Sequence, residues 1–319
     1  MTRIGFHASP EQISPRQLLT DVQHAERAGF DMAMCSDHFS PWSTRHGHSG
    51  YAWSWLGAAL ATTDLAFGCV SAPGQRYHPA VHAQRIATLA QMFPGRFWVA
   101  LGSGEASNEH VTGERWPDKE QRTRRLEECV EVIGRMLDGE EVTHRGLVTV
   151  DRARLWEVPE ERPLLIGPAV SVPSAARVAA WADGIVTINQ PVEVLRDLLA
   201  SYRDAGGQGR AAIQVHLSWA PTEDEAEAIA HDQWRTNIFS EPVNWDTELV
   251  EAFDLMGEHV TPETVREHVR VSADLGRHRE WLAEYAELGF DDIYLHFVGK
   301  VQAPFIDAFA SAVLPALRD

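Results

Sequence analysis

A chain of 319 residues, 44% of them hydrophobic, can bury a large core, and length alone allows one domain or two. Its 28 basic and 46 acidic residues give a formal charge of −18, which disfavours nucleic acid and anionic membranes, because both need clustered cations. The start, MTRIGFHASPEQ, lacks a basic segment followed by an apolar run, and no apolar stretch is long enough to cross a bilayer, so a cytoplasmic protein is expected.

In chain order, RIGFHA (3–8) reads as a strand, and Ser14 caps a helix from Pro15 to Ala28 that Gly29 closes. The pairing repeats as DMAMCS (31–36) with a helix over 52–62, LAFGCV (65–70) with 79–92, and RFWVAL (96–101) with 119–138. After Gly139 the stretch to about residue 160 reads as a hairpin insertion. The alternation resumes with PLLIG (163–167) and a helix over 173–182, then DGIVTI (183–188) with 191–205. A strand over 211–220, a helix from Thr222 to about Trp234, a strand over 291–298 and a helix over 302–317 complete eight units. Residues 235–260 have weak periodicity and are too long for an ordinary connection, so they read as a second insertion near the barrel mouth. Eight units without a linker predict one (β/α)8 TIM barrel, an α/β fold, over the whole chain. A doubly wound sheet would open on a Gly-rich phosphate turn, and here that turn is HASPEQ.

In such a barrel the chemistry sits on the loops after the strands. SDHFSPW puts Asp37 and His38 directly after the second strand, where an imidazole is a candidate general base or acid, with Trp42 close behind. GSGEASNE follows the fourth strand: Gly102 and Gly104 let backbone approach a ligand, and a desolvated Glu105 would have a raised pKa. Ser171 and Ser174, with Pro173, begin a helix whose N–H groups could face a phosphate or simply be capped. Asn189 and Gln190 follow the sixth strand and offer neutral donors. His7, His38, His46, His48 and His296 suggest a metal, but strand one offers a single histidine and His46 with His48 lie in a long loop, so no metal is expected. Cys35, Cys69 and Cys129 are odd in number, widely spaced and set among apolar residues, which fits buried reduced thiols.

With ASPEQISPRQL, SDHFSPW, YAWSWLGAA, RYHPAVHAQ, FPGRFWVALGSGEASNE and GFDDIYLHFVG in order, the chain resembles the luciferase-like flavin and deazaflavin oxidoreductases. Within them it is similar to the deazaflavin (F420)-dependent glucose-6-phosphate dehydrogenases. The resemblance implies a flavin ring over the barrel mouth, a small-molecule substrate, a homodimer, and a non-prolyl cis peptide in a strand-three bulge, which falls near Val70 and Ser71. It implies His38 as catalytic base, Trp42 beside the reacting carbon, Glu105 at the ring edge and Glu11 orienting the histidine. Asp37, Ser103, Gly104 and Asn108 match positions that touch the ring or its ribityl chain, and Val170, Ser171 and Asn189 fall beside the cofactor. Trp53, Trp55 and Tyr77 are candidate pocket walls.

The chain departs from the sugar-phosphate subgroup where it has PAVSVPS in place of a Gly-Gly turn after strand five, Asn189 and Gln190 where that subgroup has a phosphate-binding lysine after strand six, and Glu267 at the place of a second such lysine. A phosphorylated sugar is therefore not expected. The altered turn favours a short anionic ligand, so FMN is the expected cofactor and F420 the alternative. The expected reaction is hydride transfer with a small non-phosphorylated substrate, with monooxygenation by reduced FMN left open. A non-catalytic flavin-binding barrel is the rival of another class.

Overall fold

The computed structural model describes residues 2–317. Its strands are β1 (Arg3–Ala8), β2 (Met32–Ser36), β3 (Ala66–Ser71), β4 (Phe97–Leu101), the hairpin β5 (Val142–Arg145) and β6 (Thr149–Ala153), β7 (Leu164–Pro168), β8 (Gly184–Ile188), β9 (Arg210–Ser218), the short β10 (Arg270–Val271) and β11 (Asp292–Phe297). β1 pairs with β2 and β11, and β9 pairs with β8 and β11, so eight parallel strands close into a ring with the hairpin outside it. This is the expected TIM barrel with flanking helices. The hairpin falls in the stretch expected from residue 140 to 160.

Strand alternation sorts the side chains into two shells. On β2, Met32 and Met34 point to the barrel axis, where they meet Ala100, Ile166, Val186, Ala212 and Tyr294, while Ala33 and Cys35 face the helices in the larger outer core. Large and small residues alternate across the axis. A Cβ on Gly68 would lie 1.9 Å from the Trp98 ring, and one on Gly5 would lie 2.5 Å from the Tyr294 ring, so those glycines make room for the aromatics that fill the barrel centre. Among the described residues the three cysteines are buried and free.

The second insertion is larger than residues 235–260. The helix Glu223–Trp234 does not serve as a plain barrel helix: Ala226, Ala230 and Trp234 pack with Val265, Val269, Val271 and Val298 in a small core of their own, which Trp42 borders. The helix leading back to the barrel is Leu275–Glu287, which contacts both β11 and the final helix Gln302–Ala312. Residues 219–272 thus form a cap on the mouth around the end of β9. The expected cis peptide at Val70 and Ser71 is absent: among the described residues the cis bond is Glu241–Pro242. β3 keeps regular register through Val70 with Ser36 and Ala100, and through Ser71 with Leu101, so there is no bulge to hold one. No described helix is long and apolar enough to cross a membrane.

Candidate active site

Three strand ends deliver the polar groups of the mouth. β1 runs into Ser9 and Glu11, β2 into Asp37 and His38, and β4 into Gly102–Glu105 and the short helix Ala106–Glu109. Gly104 has φ +84°, which turns the chain sharply so that Glu105 and Asn108 face the β2 loop. His38 Nδ1 lies 2.7 Å from Glu11 Oε1, and its Nε2 lies 3.9 Å from Glu105 Oε2. Ser9 Oγ donates to the other Glu11 oxygen at 2.8 Å. Trp42 Nε1 and Asn108 Nδ2 donate to Glu105 Oε2 at 3.2 and 3.1 Å. Asn108 Oδ1 in turn accepts the backbone N–H groups of Phe39 and Ser40, which ties the β4 loop to the β2 loop. The result is an imidazole held between two carboxylates, with its side chain 14% exposed at the mouth and the indole of Trp42 at 5.0 Å.

Burial and charge compete at this imidazole. Burial alone would lower the His38 pKa, but the charge of Glu11, and less strongly that of Glu105, outweighs it and lifts the pKa to about 9. Burial pushes Glu11 upward, yet His38 and the Ser9 hydroxyl bring it down to about 2. Glu105 is moved up by burial, against the pull of His38 and the Trp42 N–H. The two carboxylates are thus shifted in opposite directions, Glu11 down and Glu105 up.

Asp37 lines the mouth, but its carboxylate is fully engaged. Trp53 Nε1 and Ser71 Oγ donate to Oδ2 at 2.8 and 2.7 Å, and the Tyr77 hydroxyl donates to Oδ1 at 3.0 Å. Trp53 and Tyr77 therefore brace Asp37, and Trp55 packs edge-on against Phe67 in the outer core, away from the expected pocket wall. Arg76 Nη2 donates to the Asp37 carbonyl at 2.6 Å, and its backbone N–H donates to Glu109 at 2.7 Å.

A cleft runs from His38 across this loop array toward the helices Lys119–Leu137 and Val172–Val178. Of the expected cofactor contacts it is lined by Asp37, Val70, Ser71, Ser103, Gly104, Asn108, Val170 and Ser171, together with Glu105. Asn189 is not brought there. Its amide donates to the His268 carbonyl and accepts the His216 N–H, each at 2.8 Å, so it stitches β8 to β9 and the cap. Glu11 lies behind His38 and Trp42 lies beside it, outside the cleft lining.

Sequence reading missed the cations of the far cleft, Lys119, Arg122 and Arg177. One signal was available: Lys119 is one of two lysines in an acidic chain and opens a helix after a long mouth loop. It also missed a polar layer inside the barrel top. His7 stacks on His296 at 4.2 Å, Gln214 bridges His296 and His216 at 3.0 and 3.1 Å, and Trp234 covers both at 4.8 and 4.5 Å. Inward-facing parity on β1, β9 and β11 puts these side chains together. Burial lowers the pKa of His7 to about 4 and of His216 to about 3, and lowers that of His296 well below its ordinary value, so all three are neutral near pH 7. Among the described residues no group of three His, Cys, Asp or Glu could hold a metal ion.

The sequence pattern of the family described as luciferase-like monooxygenase matches residues 1–292. The F420-dependent glucose-6-phosphate dehydrogenase of Beutenbergia cavernae is 34% identical over 332 residues, covering 100% of this chain and 98% of the relative. That of Microbacterium testaceum is 34% identical over 330 residues, covering 99% and 97%. A solved F420-dependent secondary alcohol dehydrogenase, in complex with an F420-acetone adduct, has a TM-score of 0.92 at 30% identity, covering 100% of this chain and 99% of that one. A coenzyme F420 dependent tetrahydromethanopterin reductase from Methanopyrus kandleri shares the fold at a TM-score of 0.78 and 18% identity. This chain therefore belongs to the luciferase-like monooxygenase family and is an oxidoreductase.

Proposed function

We propose that the chain is an F420-dependent dehydrogenase that interconverts a small, uncharged alcohol and its carbonyl compound. The observation that carries this reading is the His38 imidazole between Glu11 and Glu105, open at Nε2 to a cleft whose far end is cationic. The cleft suits a flat ring with an anionic tail. Gly102 and Gly104 keep one wall at backbone level, where a Cβ on Gly104 would already meet Glu109 at 3.0 Å. At the other end Arg122 is buried and its Nε has no hydrogen-bond partner, a donor set aside for an anion. The altered turn PAVSVPS, residues 168–174, favours the shorter ligand, which made FMN the expected cofactor. The names of the relatives and the cations beyond that turn favour F420, so FMN becomes the alternative.

When bound, F420 would supply a two-electron hydride acceptor or donor, which is the redox chemistry the side chains lack. Ser71, Ser103 and Asn108 would hold the ring and its sugar-like chain, and Arg122, Lys119 and Arg177 the tail. In alcohol oxidation His38 Nε2 takes the hydroxyl proton while Glu11 holds Nδ1 and stabilises the imidazolium that forms. In carbonyl reduction the same atom returns the proton. Trp42 and Trp234 keep water from this end of the mouth. A phosphorylated substrate is disfavoured because Asn189 is committed to backbone, Gln190 and Glu267 bring no positive charge, and Lys300 donates to the Arg45 carbonyl.

The test is anaerobic incubation of the purified protein with F420 and uncharged alcohols from isopropanol to cyclohexanol, following loss of the visible band of the oxidised cofactor. Turnover with these and none with glucose 6-phosphate is expected. Tight F420 binding with no turnover on any alcohol or carbonyl compound would leave the non-catalytic barrel as the better reading, and turnover on FMN alone would restore the first cofactor.

A further inference from the structure

The cap sends one segment across the cleft. Residues 241–246, which include the one-turn helix Val243–Asp246, bury no side chain in that helix, so apolar packing does not anchor it. Polar contacts to the opposite wall hold it instead. Glu241 Oε2 lies 2.8 Å from Lys119 Nζ. Asp246 Oδ1 accepts from Arg122 Nη1 and from Trp116 Nε1, both at 2.9 Å, and the Arg122 guanidinium lies 4.6 Å over the Trp116 ring. Glu241 and Trp245 themselves line the cleft beside Lys119 and Arg122.

Two carboxylates of the strap thus occupy two of the three cations that an anionic ligand in this cleft would need, while the third, Arg177, is paired with Glu127 and Glu120. They do so incompletely. Asp246 and Glu241 are 47% and 42% exposed, so water competes for both carboxylates, and the Glu241–Lys119 pair, exposed on both sides, is of the weak, displaceable kind. Arg122 is the opposite case: its side chain is 5% exposed and its Nε is unpartnered, so the buried end of the site is left wanting an acceptor.

We propose that Glu241 and Asp246 act as an internal counter-anion that determines which cofactor charge the cleft accepts. A ligand carrying several anionic groups replaces both carboxylates and takes the free Arg122 N–H as well, and the strap over residues 241–246 is released as it binds. An uncharged ligand with the same ring leaves the strap in place. The inference rests on the reading of the cleft as a flavin-type cofactor site, but it does not depend on which substrate is oxidised.

The experiment measures dissociation constants of F420, FMN and riboflavin for the wild-type protein, Glu241→Gln and the Glu241→Gln/Asp246→Asn pair, at fixed ionic strength. Removing two negative charges near the tail is expected to tighten F420 roughly tenfold and to leave riboflavin within about twofold. Hydrogen exchange on the wild-type protein gives a second readout that needs no substitution: backbone amides of 241–247 are expected to exchange faster with F420 bound and to stay unchanged with riboflavin. If the pair variant binds F420 no better, or gains equally for riboflavin, the counter-anion role is overturned. Slower exchange with F420 would mean that the strap clasps the ligand, which also overturns it. If no flavin or deazaflavin binds any of the three proteins, the cofactor reading of the cleft fails too.

Discussion

His38→Ala is expected to slow cofactor reduction in a single turnover by between roughly 100-fold and 10,000-fold, the range for loss of a positioned general base. That corresponds to about 3–5 kcal/mol of barrier. The basis is geometric: Nε2 is the one imidazole atom that Glu11 leaves available, and it faces the cleft. Affinity for F420 is expected to change little, because the groups assigned to ring and tail are elsewhere along the cleft. Stopped-flow mixing of the F420 complex with saturating alcohol separates the two quantities. A rate within threefold of wild type would remove His38 from the chemistry, whereas a large loss of F420 affinity would recast it as a cofactor-holding residue.

Glu11→Gln is expected to move the pH dependence rather than simply lower the rate. With His38 titrating at about 9, alcohol oxidation needs the neutral imidazole and should climb with pH until about 9, and carbonyl reduction needs the imidazolium and should hold level until the same point and then fall. The Glu11 charge is the chief influence that raises this pKa against burial. Without it, burial should carry the midpoint to 6.5 or lower, the ordinary histidine value being 6.5. Both limbs should therefore shift toward acid by about two pH units or more. The histidine in the variant is also a weaker base, so the plateau for oxidation should fall. Profiles of kcat/KM in both directions check this, and an unshifted midpoint would assign the limb to another group. In the wild-type protein His38 is charged near pH 7, the state that the proposed carbonyl reduction needs.

The barrel was legible because short apolar strands and amphipathic helices alternate along the chain. Met32, Ala33, Met34 and Cys35 are all apolar, yet short length and repeated pairing with a helix identified β2 without knowledge of which face was inward. The helix Leu275–Glu287 went unread because charged residues interrupt the apolar ones in its sequence, LGRHREWLAEYAE, and the pattern of Glu223–Trp234 already filled its place. Asp274, whose side chain caps Gly276 at 2.7 Å, was the local clue. At the site, His38, Glu105 and Glu11 followed from strand-end position and resemblance, and the structure brings them together. The bracing of Asp37 by Trp53, Ser71 and Tyr77 did not follow, because those residues lie 16 to 40 positions away and meet only through the closed ring. Asn189 shows the converse error, a polar residue at a strand end that serves the backbone of its neighbours.

The neutral layer of His7, His216 and His296 makes the fold acid-labile at an unusually high pH. Each is uncharged when folded, its pKa lowered by burial to about 4 for His7, to about 3 for His216 and well below the ordinary value for His296, and ordinary when unfolded, at 6.5, so the unfolded chain binds more protons below that value. Stability is complete above pH 6.5 and falls with decreasing pH down to about 4, by as much as about 1.4 kcal/mol per pH unit for each imidazole. Urea midpoints taken between about pH 7.5 and about pH 5 should therefore drop well before the carboxylates titrate, and a flat curve would mean that the layer accepts protons without unfolding.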